Sequence, residues 1–301
     1  MTIVLFGVSC RSAIPTGEVV GILTTTSPVA STASQTPTPS GVKTQVPVNT
    51  LTAQEREGFV REMLTSSSNC KLPCWWGITP SITTWAETEQ LLQYLGARIG
   101  ASPGYDPDTV FHGTAGFDFE GLSLKNSLSF QEYNGIIDAI LIRSDGYNKL
   151  EEFQVLWRDY APPKVIMTYG VPDRVWLTIP SSFTSEYRGY YLWLFYDKTG
   201  FMIRYHGQVL DAPILHICPR FGGDGYIAQI EIRMQSPDSS LPLDRFDAIL
   251  EDVRKRTDTG KLRVIHSIQE ATGLDEKELY RIFVQENPAC FDTPRDIWTS
   301  K

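Results

Sequence analysis

A break in composition near residue 53 constrains this chain most. Residues 24–50 read TTTSPVASTASQTPTPSGVKTQVPVNT, with Lys43 the one charge and no aromatic ring. Such a stretch has neither a helical nor an alternating apolar period. It cannot bury enough surface to offset the entropy of ordering its backbone. Residues 11–52 are therefore expected to form a disordered Ser/Thr/Pro-rich tether, with a root-mean-square reach of roughly 35 Å. The fold is expected to lie within residues 53–301.

What precedes the tether gives it a purpose. Met1 to Cys10 reads MTIVLFGVSC, an apolar run from Ile3 to Val8 followed by small Ser9 and Cys10. This has the form of the end of a bacterial lipoprotein signal, in which the cysteine is acylated. The run is short and has no basic residues before it, as expected if the start codon is assigned too late. An ordinary N-terminus with a chance cysteine is the plain alternative. The expected location is extracytoplasmic, attached to the membrane through Cys10.

Removing Cys10 leaves Cys70, Cys74, Cys218 and Cys290, for which three pairings are possible. Proline separates the first two in CKLPC, and proline neighbours mark ICP and NPACFDTP. The favoured pairing is Cys70–Cys74 with Cys218–Cys290. A four-thiolate zinc site is the rival, but such sites usually carry two close pairs and this chain has one. Free buried thiols are the bland alternative.

The remaining sequence alternates between helical and strand patterns. Helices are expected at Leu51–Thr65, Thr84–Leu95, Lys149–Tyr160, Lys164–Tyr169 and Leu243–Arg256. Thr84 with Glu87 and Asp275 with Glu278 have the spacing of capping boxes, and Leu274 with Leu279 makes a hydrophobic staple. Strands are expected at Thr109–Phe119, Leu122–Phe130 and Ile136–Ile142, with Asn134-Gly135 as a hairpin turn. Further strands are expected from VPDRVWLTI at 171–179, and at Tyr190–Tyr196, Phe201–Tyr205 and Tyr226–Met234. In the last, Ala228, Ile230 and Ile232 alternate with Gln229, Glu231 and Arg233, which predicts a solvated outer face. The pattern predicts an α+β region with antiparallel sheets, helices on one face and a helical C-terminal part at 241–287.

The segment LPCWWGITPSITTWAETEQLL at 72–92, with TYGVPDRVWL at 168–177 and NPACFDTP near the end, resembles uncharacterised exported lipoproteins of Chloroflexota-type bacteria. That resemblance carries no known activity. A weaker similarity is to small envelope lipoproteins of the SmpA/OmlA type and to β-lactamase-inhibitor-like modules. It rests on Gly77-Ile78-Thr79 with Leu95-Gly96, and on Tyr169-Gly170-Val171-Pro172-Asp173. It implies helices on one face of an antiparallel sheet, two degenerate repeats at about 75–145 and 147–235, and action by binding other proteins.

Chemistry is sparse. The formal net charge of -8 makes the chain a poor phosphate binder, so no nucleic-acid partner is expected. No nucleotide, zinc-protease or serine-hydrolase motif is present, so no cofactor and no metal are expected. His112, His206, His216 and His266 are scattered. The Gly222–Gly225 loop reads as a turn. An exported hydrolase acting on glycans or peptides would need carboxylates such as Glu186, Asp197 and Asp224 to converge. The aromatic residues Trp75, Trp76, Tyr190, Trp193 and Tyr196 are the candidate binding surface, for an envelope protein or a glycan. The plain reading of the Tyr190–Tyr196 strand is instead a central strand covered on both faces. One of Trp75 and Trp76 is expected over the Cys70–Cys74 bridge and the other in solvent.

Overall fold

The computed structural model describes residues 51–65, 70–103, 109–115, 117–118, 125–146, 149–180, 187–221, 227–239, 243, 264–285 and 290–298. Cys10, residues 11–50 of the expected tether, and the expected helix 243–256 beyond Leu243 lie outside them.

Helix α1 (Ala53–Thr65) opens the region. Thr52 and Glu55 close its first turn by reciprocal hydrogen bonds. Helix α2 (Trp85–Tyr94) follows, capped by the Thr84–Glu87 box, and Gly96 leaves it with a φ of 69°. Strands β1 (Arg98–Pro103), β2 (Thr109–Ala115), β3 (Phe117–Asp118), β4 (Lys125–Tyr133) and β5 (Ile136–Asp145) come next. Asn134 and Gly135 both have positive φ, as their hairpin turn demands.

Helices α3 (Leu150–Leu156) and α4 (Pro162–Tyr169) start the second half, followed by β6 (Arg174–Thr178), β7 (Tyr187–Tyr196) and β8 (Phe201–Leu210). Then come β9 (Ile214–Ile217), β10 (Ile227–Gln235), β11 (His266–Ser267), α5 (Ile268–Thr272), α6 (Glu276–Phe283) and β12 (Phe291–Pro294). The Asp275–Glu278 capping box opens α6. The sequence reading missed β1, β9, β11 and β12. It took the Cys290 neighbourhood for loop, whereas Phe291–Pro294 pairs antiparallel with Ile214–Ile217.

One antiparallel sheet runs β1-β2-β4-β5-β10-β8-β7-β6-β11, with β3 attached to β4. It is built from two four-stranded meanders, each entered from helices. The first is β1-β2-β4-β5 after α2; the second is β6-β7-β8-β10 after α3 and α4. They join at their last strands, where Ile142 lies opposite Ile232.

Side chains alternate between faces along every strand, so register decides what each face carries. On one face a row crosses six strands: Leu128, Ile142, Ile232, Ile203, Leu194 and Val175. All six described helices pack on that face, through residues such as Leu64, Leu92, Phe153, Ile166, Ile268 and Phe283. Each such side chain contributes about 1.5–3 kcal/mol by leaving water. Gly207 makes room for a ring here: a Cβ on it would lie 2.4 Å from Tyr190.

Both disulfides of the favoured pairing are present. Cys70–Cys74 closes the loop ahead of Trp75, and Cys218–Cys290 ties the β9–β12 ladder across 72 residues. Loop-closure entropy makes the second bridge worth about 4 kcal/mol.

Candidate functional site

The other face of the sheet carries the polar chemistry. A second row crosses the strands there: Arg143, Glu231, Arg204, Trp193 and Trp176. Direct cross-strand pairing thus sets an arginine on each side of Glu231. Arg143 Nε donates to Glu231 Oε2 at 2.6 Å, and Arg204 Nη2 donates to the same oxygen at 2.6 Å. Arg233 Nε donates to Oε1 at 2.8 Å. Glu231 is 1% exposed and Arg233 2%. Burial alone would raise the Glu231 carboxyl; the three guanidiniums outweigh it and hold the group below its ordinary value.

This corrects the expected solvated outer face of β10. The face is closed near its second-meander side by a smaller cluster of Trp193, Phe195, Met202 and Leu243, with Ile265 packed against it. Arginines lie over its rings. The Arg174 guanidinium sits 4.3 Å from the Phe195 ring centre, and Arg204 sits 5.4 Å from that of Tyr191. His206 stacks on Tyr191 at 4.4 Å.

The expected aromatic binding surface is therefore corrected too. Tyr190, Trp193 and Tyr196 are buried because β7 is a central strand with apolar partners on both faces, and Trp75 is buried in the loop before α2. Burial pushes the phenols of Tyr190, Tyr196 and Tyr205 well up, so they stay neutral. Trp75 stacks on Trp157 at 5.9 Å instead of facing solvent. Trp76 is half-buried and stacks on Trp75 at 5.4 Å.

Toward the first meander the same outer face opens. Phe111 on β2, Ser129 and Gln131 on β4, and Leu141 and Arg143 on β5 are all partly exposed. Register places Phe111 beside Gln131, and Ser129 beside Leu141. An aromatic ring, an aliphatic chain, an amide, a hydroxyl and a guanidinium thus share one half-open surface.

No family model, curated protein or solved structure matches this chain. Its function has to be argued from the geometry.

Of the carboxylates considered for hydrolysis, only Asp197 lies among the described residues. Asp197 accepts two bonds from Arg174, at 2.7 and 2.8 Å, and Glu186 and Asp224 lie outside the described residues. The Gly222–Gly225 loop also lies outside them. The histidines sit apart. His112 stacks on Trp85 at 3.4 Å beside Glu132, His216 pairs with Asp292 at 2.6 Å, and His266 lies against Trp298. Among the described residues no group of three potential metal ligands assembles. The four paired sulfurs leave no thiolate zinc site. Among the described residues no helix is long and apolar enough to cross a membrane.

Sequence reasoning missed the Glu231 cluster. Its signal was available, since Arg143 and Arg204 sit on strands flanking an acidic position, but only register turns those charges into neighbours.

Proposed function

We propose that this chain is a tethered extracytoplasmic interaction module, without a catalytic role, that docks an envelope protein on the outer face of its first meander. The observation that carries the reading is the half-open surface of Phe111, Ser129, Gln131, Leu141 and Arg143. An aromatic ring and an arginine are among the side chains that protein interfaces favour. Arg143 is already oriented by Glu231, so docking against it costs little side-chain entropy. Two disulfides support an oxidising compartment. The apolar run ending at Cys10, followed by the stalk, supports a lipid anchor.

The test is photo-crosslinking in intact cells, with the reactive side chain placed at Ser129 or Gln131 and, as a control, at Glu62 on exposed α1. The reading expects a discrete cross-linked species from the sheet positions and none from Glu62. Equal patterns, or no product from the sheet, would sink it. The intact non-reduced mass tests the anchor separately: an acyl increment on Cys10 is expected.

A further inference from the structure

We propose that Cys70–Cys74 is an exchange-active disulfide, which takes two electrons from an external dithiol while Cys218–Cys290 stays closed. The first bridge lies in a loop whose shape backbone bonds already hold. Cys74 N–H donates to Lys71 O at 2.9 Å, Trp75 and Ile78 each donate to the other's carbonyl at 2.8 Å, and Leu72 N–H donates to Tyr169 Oη at 2.9 Å. None of these bonds passes through sulfur, so opening the bridge leaves the loop folded. The second bridge spans 72 residues and ties β9 to β12, so its opening removes a long loop constraint.

The sulfurs differ as well. Gly77 N–H donates to Cys70 Sγ at 3.2 Å. A donor there favours the thiolate that forms when the bridge opens. Gly77 aims that N–H from a tight turn between Trp75 and Ile78, with φ of 54° at Trp76 and 84° at Gly77. Lys71, exposed and next to Cys70, is the one charged residue from Cys70 to Ala86. Its ammonium favours the same thiolate. Cys70 and Cys74 are half-buried and Cys290 is exposed, so access does not separate the two bridges. Among the described residues no N–H donates to the sulfur of Cys218 or Cys290. Arg220 and Asp292, two residues from Cys218 and Cys290, are of opposite sign. A better stabilised thiolate leaves faster, which directs attack to Cys74. The external thiolate bonds to Cys74 Sγ, the Cys70–Cys74 bond breaks, and its electron pair goes to Cys70 Sγ beside the Gly77 N–H. A second external thiolate then bonds to the first external sulfur and releases Cys74 as a thiolate. Each cysteine takes up a proton given by an external thiol. Two external thiols become one disulfide, and the bridge becomes two thiols. Each chain carries out this exchange once, so it adds no catalytic turnover to a docking module.

The test does not depend on the docking surface or the anchor. The full chain is incubated with reduced glutathione in stepped excess, quenched with iodoacetamide and mapped by mass spectrometry after trypsin, which separates Cys70 from Cys74 at Lys71. Glutathione on Cys74 with alkylated Cys70 is expected during opening. Cys218–Cys290 is expected to stay closed, and circular dichroism unchanged, at the excess that opens half of the first bridge. Lys71→Glu is expected to slow opening by roughly threefold or more, less so in high salt. Both bridges opening together, neither opening short of denaturation, or loss of the fold as the first opens overturns the proposal. Glutathione found equally on Cys70 and Cys74, or a rate unchanged by Lys71→Glu, overturns the account of the Cys70 thiolate on which it stands.

Discussion

The two meanders share a connectivity and differ in what lies on their outer face. In the second, β7 is buried at eight of ten positions and β10 at eight of nine. In the first, β5 alternates between buried and partly exposed residues, and β1 is almost wholly exposed. The helix layer serves both. What separates them, among the described residues, is the second layer of Trp193, Phe195, Met202 and Leu243 on the side of the second meander. A half closed on both faces supplies rigidity, while the half closed on one face has surface to spare for a partner. Glu231 sits at the seam, taking one arginine from the first meander and two from the second.

Substitutions can break that comparison, and the seam should suffer most. Glu231→Ala strands three guanidiniums around an empty site and is expected to cost about 3–5 kcal/mol in urea unfolding. A loss no larger than that of a surface glutamate would mean the cluster is not buried in solution. Acid offers a second view of the same residue. The folded-state pKa of Glu231 lies below its ordinary 4.5. Its stabilisation is therefore full above that value and is lost as pH falls through the folded-state pKa. A Glu231→Gln chain should show a shallower acid slope than the parent; identical slopes would contradict the three-arginine account.

The Cys218–Cys290 bridge comes next. Replacing both cysteines with serine is expected to cost about 2–4 kcal/mol, read by thermal unfolding without reductant. The third effect is in the closed half: Gly207→Ala pushes a Cβ into the Tyr190 ring and should cost about 1–3 kcal/mol. The smallest belongs to the open half. Ser129→Ala, on the partly exposed surface, should change stability by less than about 0.5 kcal/mol. A larger loss there would mean that the first meander is closed like the second.

Much of this was legible in the sequence, and the reasons differ by element. The capping boxes at Thr84–Glu87 and Asp275–Glu278, the Asn134-Gly135 turn and the Cys70–Cys74 bridge follow from local chemistry, Cys218–Cys290 was the favoured one of three open pairings, and the structure contains each. Strand β1 was missed because Arg98–Pro103 is an exposed edge with neither alternation nor an apolar run. Strands β9 and β12 are four residues each and pair across a long sequence gap. The open surface at Phe111 and Leu141 was also illegible, because exposure on a strand depends on the layer opposite it. For the same reason Glu231 read as solvated and the ring-rich β7 as a possible surface. Periodicity tells which residues share a face; it does not tell what covers that face.

The most direct test is hydroxyl-radical footprinting, read residue by residue by mass spectrometry, on the purified chain and on the chain in its native membrane. The account predicts labelling of Phe111 and Leu141 but protection of Trp193 and Phe195 in the purified chain. In the membrane Phe111 and Leu141 should become protected as well. Equal labelling of both pairs in the purified chain would contradict the closed and open halves, and unchanged labelling of Phe111 and Leu141 in the membrane would contradict the docking surface.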